Sequence, residues 1–349
     1  MLNRILIDDF KKILLIKKIK WTRLKNKTIL ITGANGFIAT YIIYFLIFLN
    51  QKYFFKIKII LIARDKKKLI KKFINKNTKK FFIIIHQDIT DNISIKQKID
   101  FILHMASNAS PKLFNKQPIE TILPNIIGTN NLLKLSVNKN IKSFLFFSSG
   151  EIYGNHNGIL NEDTINNLNH LTERASYSES KKMGEVLCYS YFKQKKIPIK
   201  IVRLFHTYGP CMDLKDGRVM MDFVKDIIND KNILIKNNSE QKRSFCYISD
   251  AIIGIFLILI NGENGEAYNL GNPRELISIK KLAHLLTKFN NKISVKVNLK
   301  PDKQIKNAPN QTVIPSIKKI TKLGFKPTVD IKKGFEKTIN YFRSSPQNN

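Results

Sequence analysis

The turn Thr32-Gly33-Ala34-Asn35-Gly36 constrains this 349-residue chain more than any other feature, because it joins a β-branched run, 28–32, directly to an apolar stretch of helical length. A strand that enters a helix through small residues lets backbone N–H groups approach an anion at the helix's positive end. Gly33, Asn35, Gly36, Phe37 and Ile38 are therefore candidate contacts for the pyrophosphate of a dinucleotide. Ala39 takes the third small position, where glycine is more usual; its task is close packing of helix on strand, which alanine can also perform. On its own the pattern also describes a plain tight turn, so its setting in the chain matters.

That setting is a repeated beat of short apolar run, turn and longer helical stretch. Strands are expected at 28–32, 57–63, 81–87, 101–105, 143–148 and 199–204. Runs without polar alternation suit strands covered on both faces, hence parallel strands joined by crossover helices. After Tyr208-Gly209-Pro210 the beat breaks: a helix over 219–229, turns near Gly262 and Gly271, and a helix near 279–289 suggest a second unit. The expected fold is α/β, a Rossmann-type doubly wound parallel sheet over 28–205. A smaller C-terminal domain over 206–349 follows, part of it packing back on the first. The Lys/Asn-rich stretches 64–80 and 300–312 read as solvated helix or loop.

Charge narrows the partners less than its size suggests. Lys+Arg number 60 against 26 Asp+Glu, a net +34, which ordinarily points to nucleic acid or anionic membranes. Here nine of the 60 are Arg, the excess is spread over both halves, and no RNP, KH or zinc signature accompanies it. A compositional bias toward Lys, Ile, Phe and Asn accounts for the charge, and nucleic acid is not an expected partner. Cys188, Cys211 and Cys246 stand far apart without a CxxC pair, so no metal site is expected; they read as buried thiols in a reducing cytoplasm. The apolar runs 41–49 and 252–260 fall short of the roughly 20 residues a membrane span needs and read as buried helices. Residues 1–27 carry Asp8 and Asp9 within the apolar pattern Leu2, Ile5, Leu6, Phe10, Ile13, Leu14, and no small-residue cleavage site follows. They form an amphipathic helical extension rather than a signal peptide.

Two further clusters bear on a cofactor. The second strand ends Ala63-Arg64-Asp65 where an acid that binds the adenosine ribose of NAD is expected. Either Arg64 meets a 2′-phosphate, which leaves NADP open, or Asp65 serves the ribose and Arg64 is a surface cation. Asp88-Ile89, after the third strand, either contacts adenine or has Asp88 capping the next turn. The sharpest constellation is Tyr177-x-x-x-Lys181 with Ser148-Ser149 ending an earlier strand. Tyr and Lys at i, i+4 share a helix face, so the ammonium is expected to stabilise the phenolate and bring it toward working pH.

Together these segments resemble the extended short-chain dehydrogenase/reductases that act on nucleotide sugars. Further matches are His104-Met105-Ala106-Ser107 with Ala109-Ser110-Pro111, Asn125 with Gly128-Thr129, and Ser148-Ser149-Gly150-Glu151-Ile152-Tyr153-Gly154. Others are Arg203-Leu204-Phe205-His206-Thr207-Tyr208-Gly209-Pro210, Asp216-Gly217-Arg218-Val219 and Arg243-Ser244-Phe245-Cys246-Tyr247-Ile248-Ser249-Asp250. The resemblance implies NAD as cofactor, lined also by Ala106 and Ser107, and a C-terminal domain that binds a nucleotide sugar. It implies Tyr177 as the base for the sugar 4-hydroxyl, Lys181 on the nicotinamide ribose and Ser149 on the reacting oxygen. Arg218 and Arg243 would hold the nucleotide end.

In the 4,6-dehydratases of this family an Asp-Glu pair follows the catalytic Ser/Thr, whereas here the pair is Gly150-Glu151. Glycine cannot donate a proton, and a small residue followed by Glu is instead similar to the UDP-glucuronate decarboxylases. The resemblance therefore implies decarboxylation through a transient 4-ketone without net redox, with Glu151 adjusting the chemistry at C5. A UDP- or dTDP-sugar 4-epimerase is the alternative. A non-catalytic RNA-binding relative would show a degraded triad, and the triad is present. His206 replaces a usual Asn and is either a substrate contact or a core histidine; Cys211 stands where Arg is common. Arg174 resembles the arginine ahead of the decarboxylases' tyrosine, or is a surface cation. Relatives are homodimers through the Tyr/Lys helix, where Met183, Val186, Leu187 and Tyr191 serve the interface or pack on the sheet. Their products commonly feed polysaccharide biosynthesis.

Overall fold

A computed structural model describes residues 2–165, 168–172, 174–235, 240–297 and 312–344. Seven parallel strands form the main sheet: β1 (Thr28–Thr32), β2 (Lys58–Ala63), β3 (Phe82–His86), β4 (Phe101–His104), β5 (Ser143–Ser149), β6 (Ile199–Leu204) and β7 (Ala267–Leu270). Their order across the sheet is β7-β6-β5-β4-β1-β2-β3, so the winding reverses between β1 and β4. Ligands of such sheets bind outside the carboxyl ends of the strands at that reversal. The six expected strands are all present, with ends shifted by no more than one residue.

The unbroken apolar runs are explained by the two faces. Ile29, Ile31, Ile59, Leu61, Leu103 and Leu145 enter one buried cluster, whereas Leu30, Ile60, Ile62, Ile102, Phe144 and Phe146 enter another on the opposite side. Alternate residues of each strand thus face different layers, and both layers demand apolar side chains. Helices α2 (Phe37–Tyr53) and α5 (Ile248–Asn261) cover the first face, and α4 (Ala175–Lys195) lies on the second. Every residue of 248–260 is buried, which makes α5 a core helix, as its length required.

Residues 2–27 are built into that same core. Helix α1 (Arg4–Leu14) packs on α2 and α5 through Leu6, Phe10 and Ile13, and the short helix Trp21–Leu24 wedges Trp21 edge-on against Phe45 and Phe256. Helix α3 (Lys66–Phe73) occupies the Lys-rich 64–80 stretch with only Leu69 and Phe73 buried. The 300–312 stretch lies, except for Thr312, outside the described residues.

Beyond β6 the chain forms a second sheet from Leu276–Ser278, Lys242–Ser244, Val313–Pro315 and Gly158–Leu160, in that order. Two short parallel pairs, Thr207–Tyr208 with Cys246–Tyr247 and Ile233–Ile235 with Val295–Val297, stand as separate two-stranded sheets. The two parts interleave: β7 returns to the main sheet, while Gly158–Leu160 leaves the first part to edge the second. The last long helix, α6 (Ile331–Ser344), packs over Tyr208 through Phe335, with the rings stacked at 4.1 Å.

Candidate active site

The turn after β1 is shaped for close approach. Gly33 has φ +66°, and a Cβ there would stand 2.6 Å from the Met105 carbonyl oxygen, so the turns after β1 and β4 touch at backbone level. Gly36 caps α2, which begins with the half-buried Phe37 and Ile38. Beside this cradle Asn35 Oδ1 and Ser107 Oγ are buried without a hydrogen-bond partner. Ala106 N donates to Thr32 Oγ1 at 3.2 Å. His104 bridges Thr32 and Thr129 at 2.8 and 2.9 Å, and burial, aided by Lys181, pushes its pKa down to about 3, so it is a neutral brace.

At the end of β2, Arg64 is largely exposed, its Nε 3.7 Å from Asp88 Oδ2. Asp65 caps α3 by accepting from Lys68 N at 2.9 Å. Asp88 takes the turn-capping role: its Oδ1 accepts from Thr90 N at 2.9 Å and from Thr90 Oγ1 at 2.8 Å. Partial burial pushes its carboxyl upward, but the Thr90 bonds and Arg64 together hold it below the usual range. Ile89 is buried, filling the space that Gly128 leaves for want of a Cβ.

The catalytic candidates meet at the ends of β5 and α4. Tyr177 and Lys181 are both buried, on the first turns of α4. Ser149, the last residue of β5, hydrogen-bonds the Tyr177 side chain although 28 positions separate them. Burial raises the Tyr177 pKa; Ser149 and Arg218 pull it down, and Glu151 pushes it up. Lys181 Nζ donates to the Phe147 carbonyl at 2.7 Å and lies 5.1 Å over the Phe146 ring, so its ammonium is tied to β5. Burial lowers the Lys181 pKa to about 7.

Next to Tyr177 lies a carboxylate surrounded by cations. Glu151 Oε2 accepts from Arg174 Nε at 2.9 Å and Arg174 Nη2 at 2.5 Å. Burial opposes its ionisation, but Arg174, His206 and Arg243 hold its pKa below the usual value. His206 is pushed down to about 4 by burial first and Arg243 next, with Glu151 opposing; its Nδ1 is buried without a partner. Burial also lowers Arg243, against the pull of Glu151. Arg218 pairs with Asp216 at 3.3 Å and donates to the Ala109 carbonyl at 2.9 Å. Gly150 is packed beneath this group: a Cβ there would stand 2.9 Å from the Phe205 ring. The arrangement offers a buried phenol with a hydroxyl partner, beside a cationic surface suited to phosphate and carboxylate groups.

The "NAD dependent epimerase/dehydratase family" model matches residues 29–271. The chain belongs to that family. It is 32% identical over 331 residues to an Arabidopsis thaliana protein named UDP-glucuronic acid decarboxylase 6, covering 91% of this chain and 89% of that one. It is 33% identical to UDP-glucuronic acid decarboxylase 1 of Xenopus tropicalis, over 75% of this chain and 61% of that longer protein. Among solved structures, UDP-glucuronic acid 4-epimerase from Bacillus cereus, in complex with UDP-glucuronic acid and NAD, superimposes with a TM-score of 0.74 at 27% identity, covering 90% and 99% of the two chains.

Within this family member the fold brings Ser149, Glu151, Tyr177, His206, Arg218 and Arg243 into one neighbourhood, and gathers Gly33, Asn35, Ala106 and Ser107 at the neighbouring strand ends. Arg64 and Asp88 lie at the far edge, just after β2 and β3. Arg174 is the residue that the sequence reading undervalued. Only its position ahead of the tyrosine pointed to it, whereas its double bond to Glu151 makes it a wall of the site. Leu187 and Tyr191 pack inward, Tyr191 bonding Asn130 at 2.9 Å, while Met183 and Val186 are about half exposed. Leu187 and Tyr191 thus face the sheet, whereas Met183 and Val186 face outward, because α4 shows one face to each side.

Proposed function

We propose that this chain is a UDP-glucuronate decarboxylase that works with NAD and leaves no net redox change. One observation carries the reading: Glu151, next to the Tyr177–Ser149 pair, faces Arg174, Arg243 and the neutral His206, while Arg218, paired with Asp216, acts on Tyr177. Three arginines against the two carboxylates Glu151 and Asp216 leave the site net positive, which fits a substrate that brings both a diphosphate and a sugar carboxylate. The names of the curated relatives support the same substrate.

The residues present fit a dinucleotide. Gly33 leaves a cradle that a Cβ would fill, and Asn35 and Ser107 each offer a buried polar atom that lacks a partner. Gly33, Asn35, Gly36, Phe37 and Ile38 would line the pyrophosphate, and Lys181 the nicotinamide ribose. NAD, when bound, supplies a hydride acceptor for C4 and returns the hydride at the end. Tyr177 takes the 4-hydroxyl proton, aided by Ser149, which holds the same oxygen. The 4-ketone so formed is β to the C5 carboxylate. Carbon dioxide leaves as the electrons of the C5–C6 bond pass into the ketone, and the enolate oxygen is held by the Ser149 and Tyr177 hydroxyls. C5 then takes a proton from solvent. Arg218 and Arg243 hold the diphosphate end, and Arg174 keeps Glu151 ionised beside the sugar ring.

The test is incubation with UDP-glucuronate and NAD, with mass spectrometry of the nucleotide sugars. Loss of carbon dioxide, reduced roughly 10²–10⁴-fold in Tyr177→Phe, is expected. A product of unchanged mass would favour the second reading, 4-epimerisation, which the likeness to the Bacillus cereus UDP-glucuronic acid 4-epimerase keeps in play.

The proposal extends to assembly and place. Met183, Val186 and Tyr189 on α4 lie exposed, as do Ile119 and Leu123 on the adjoining helix Pro118–Leu123, and together they suit a homodimer contact. Cys188, Cys211 and Cys246 are free thiols, which suits a reducing cytoplasm. Among the described residues no helix is long and apolar enough to cross a membrane.

A further inference from the structure

The extension ahead of the family match carries one charged side chain on its buried face. Leu6, Phe10 and Ile13 are the apolar stripe of α1, and the i, i+3, i+4 spacing places Asp9 in the same stripe, where it is fully buried. Its carboxylate gathers three donors from three distant parts of the chain. Tyr41 Oη on α2 donates to Oδ2 at 3.1 Å, Tyr247 Oη donates to the same oxygen at 2.7 Å, and the Lys337 ammonium on α6 pairs with Oδ1. Lys337 also lies 5.6 Å over the Tyr247 ring. A carboxylate so deep in an apolar core is stable only while those partners stay in place.

The partners are not remote from the site. Tyr41 belongs to the helix whose first turn borders the dinucleotide cradle. Tyr247 ends the short strand Cys246–Tyr247, four residues after Arg243, and Cys246 N donates to the His206 carbonyl at 2.8 Å. Lys337 lies on α6, whose Phe335 stacks on Tyr208, two residues after His206. One buried carboxylate therefore ties the cofactor helix to both segments that carry His206 and Arg243.

We propose that Asp9 is a positioning residue for the substrate half of the site: α1 is a strap that fixes, through Tyr247 and Lys337, the strand and helix that set His206 and Arg243 relative to α2. The ligand named in its test rests on the decarboxylase reading; the strap itself does not. Helix α2 is buried along most of its length by other contacts, so loss of Asp9 should loosen the Tyr247 and Lys337 sides more than the Tyr41 side.

The experiment compares wild-type full chain with Asp9→Asn, and with Tyr247→Phe, which removes one hydrogen bond and keeps the chain foldable should Asp9→Asn fail to fold. Hydrogen exchange of the ligand-free proteins and calorimetric binding of NAD and of UDP-glucuronate are measured. The expected result is faster exchange confined to 242–250 and 331–344, UDP-glucuronate affinity at least about tenfold weaker in Asp9→Asn with a smaller loss in Tyr247→Phe, and NAD affinity within about twofold. Exchange that rises evenly over the chain, or both affinities unchanged despite a lower Tm, would overturn the strap. Should wild-type bind NAD but not UDP-glucuronate, the decarboxylase reading fails while the exchange pattern still decides the strap.

Discussion

At Gly150 a single missing Cβ separates two chemistries. A Cβ there would press on the Phe205 ring at 2.9 Å, and that ring is stacked against Tyr153 on one side while its Cβ lies against Gly271 on the other. Gly150→Asp, which restores the acid of the dehydratases, should therefore not yield a 4,6-dehydratase. Overpacking of this kind costs about 1–3 kcal/mol, so a lower Tm and a lower decarboxylation rate are expected, with no dehydrated sugar in the product mass spectrum. Lys181 gives a second residue-scale prediction. Its folded pKa is about 7 against an ordinary 10.5, so between those values the unfolded chain holds a proton that the folded chain has released. Stability then rises with pH through that window, and below about 7, where both states are charged, this contribution is flat. Lys181→Met removes the slope, and the Tm of wild-type should gain on that of the variant between about pH 7.5 and pH 9. The triad residues were legible from their chain order and spacing, but the Lys181–Phe147 bond was not, because nothing local in the sequence tells how far a lysine reaches across a sheet.

Helix α4 has two unlike faces. On the inner face Gly184 lets the helix settle on the sheet: a Cβ there would meet the Phe146 ring at 2.4 Å and the Asn125 carbonyl at 3.1 Å. Gly184→Ala gains helix propensity, yet should destabilise by about 1–3 kcal/mol, because the ring and the neighbouring backbone must move. Thermal unfolding checks the sign: a higher Tm would mean that propensity outweighs the clash. On the outer face Val186 is 52% exposed beside Met183 and Tyr189. Val186→Glu should convert the proposed dimer to a monomer in light scattering and leave the α4 core intact. The helix itself could be placed from Tyr177 and Lys181, but the sequence did not show which of its apolar residues face out. That depends on the rotation of α4 against β5 and β6, which the main sheet sets.

For the molecule as a whole, residues 2–27 are the least expected component of the core. Trp21, the single tryptophan, packs against Phe45 of α2 and Phe256 of α5, and Arg23 donates to the Ile260 carbonyl at the end of α5. Unfolding in urea followed by Trp21 fluorescence should coincide with loss of far-UV circular dichroism, since the strap and the main sheet share one core. An earlier fluorescence transition would mean the extension opens alone. The sequence by itself determined the parallel sheet, the dinucleotide turn and the Tyr/Lys/Ser trio, because these rest on periodicity, on residues without a Cβ, on the i, i+4 spacing of Tyr177 and Lys181 and on a serine that ends an earlier strand. The tertiary structure alone decided the meeting of Arg174 with Glu151, the packing of Phe205 against Gly150 and the three donors on Asp9. Each joins residues from separate elements, and the contact exists only once the whole sheet and its covering helices have fixed their relative places.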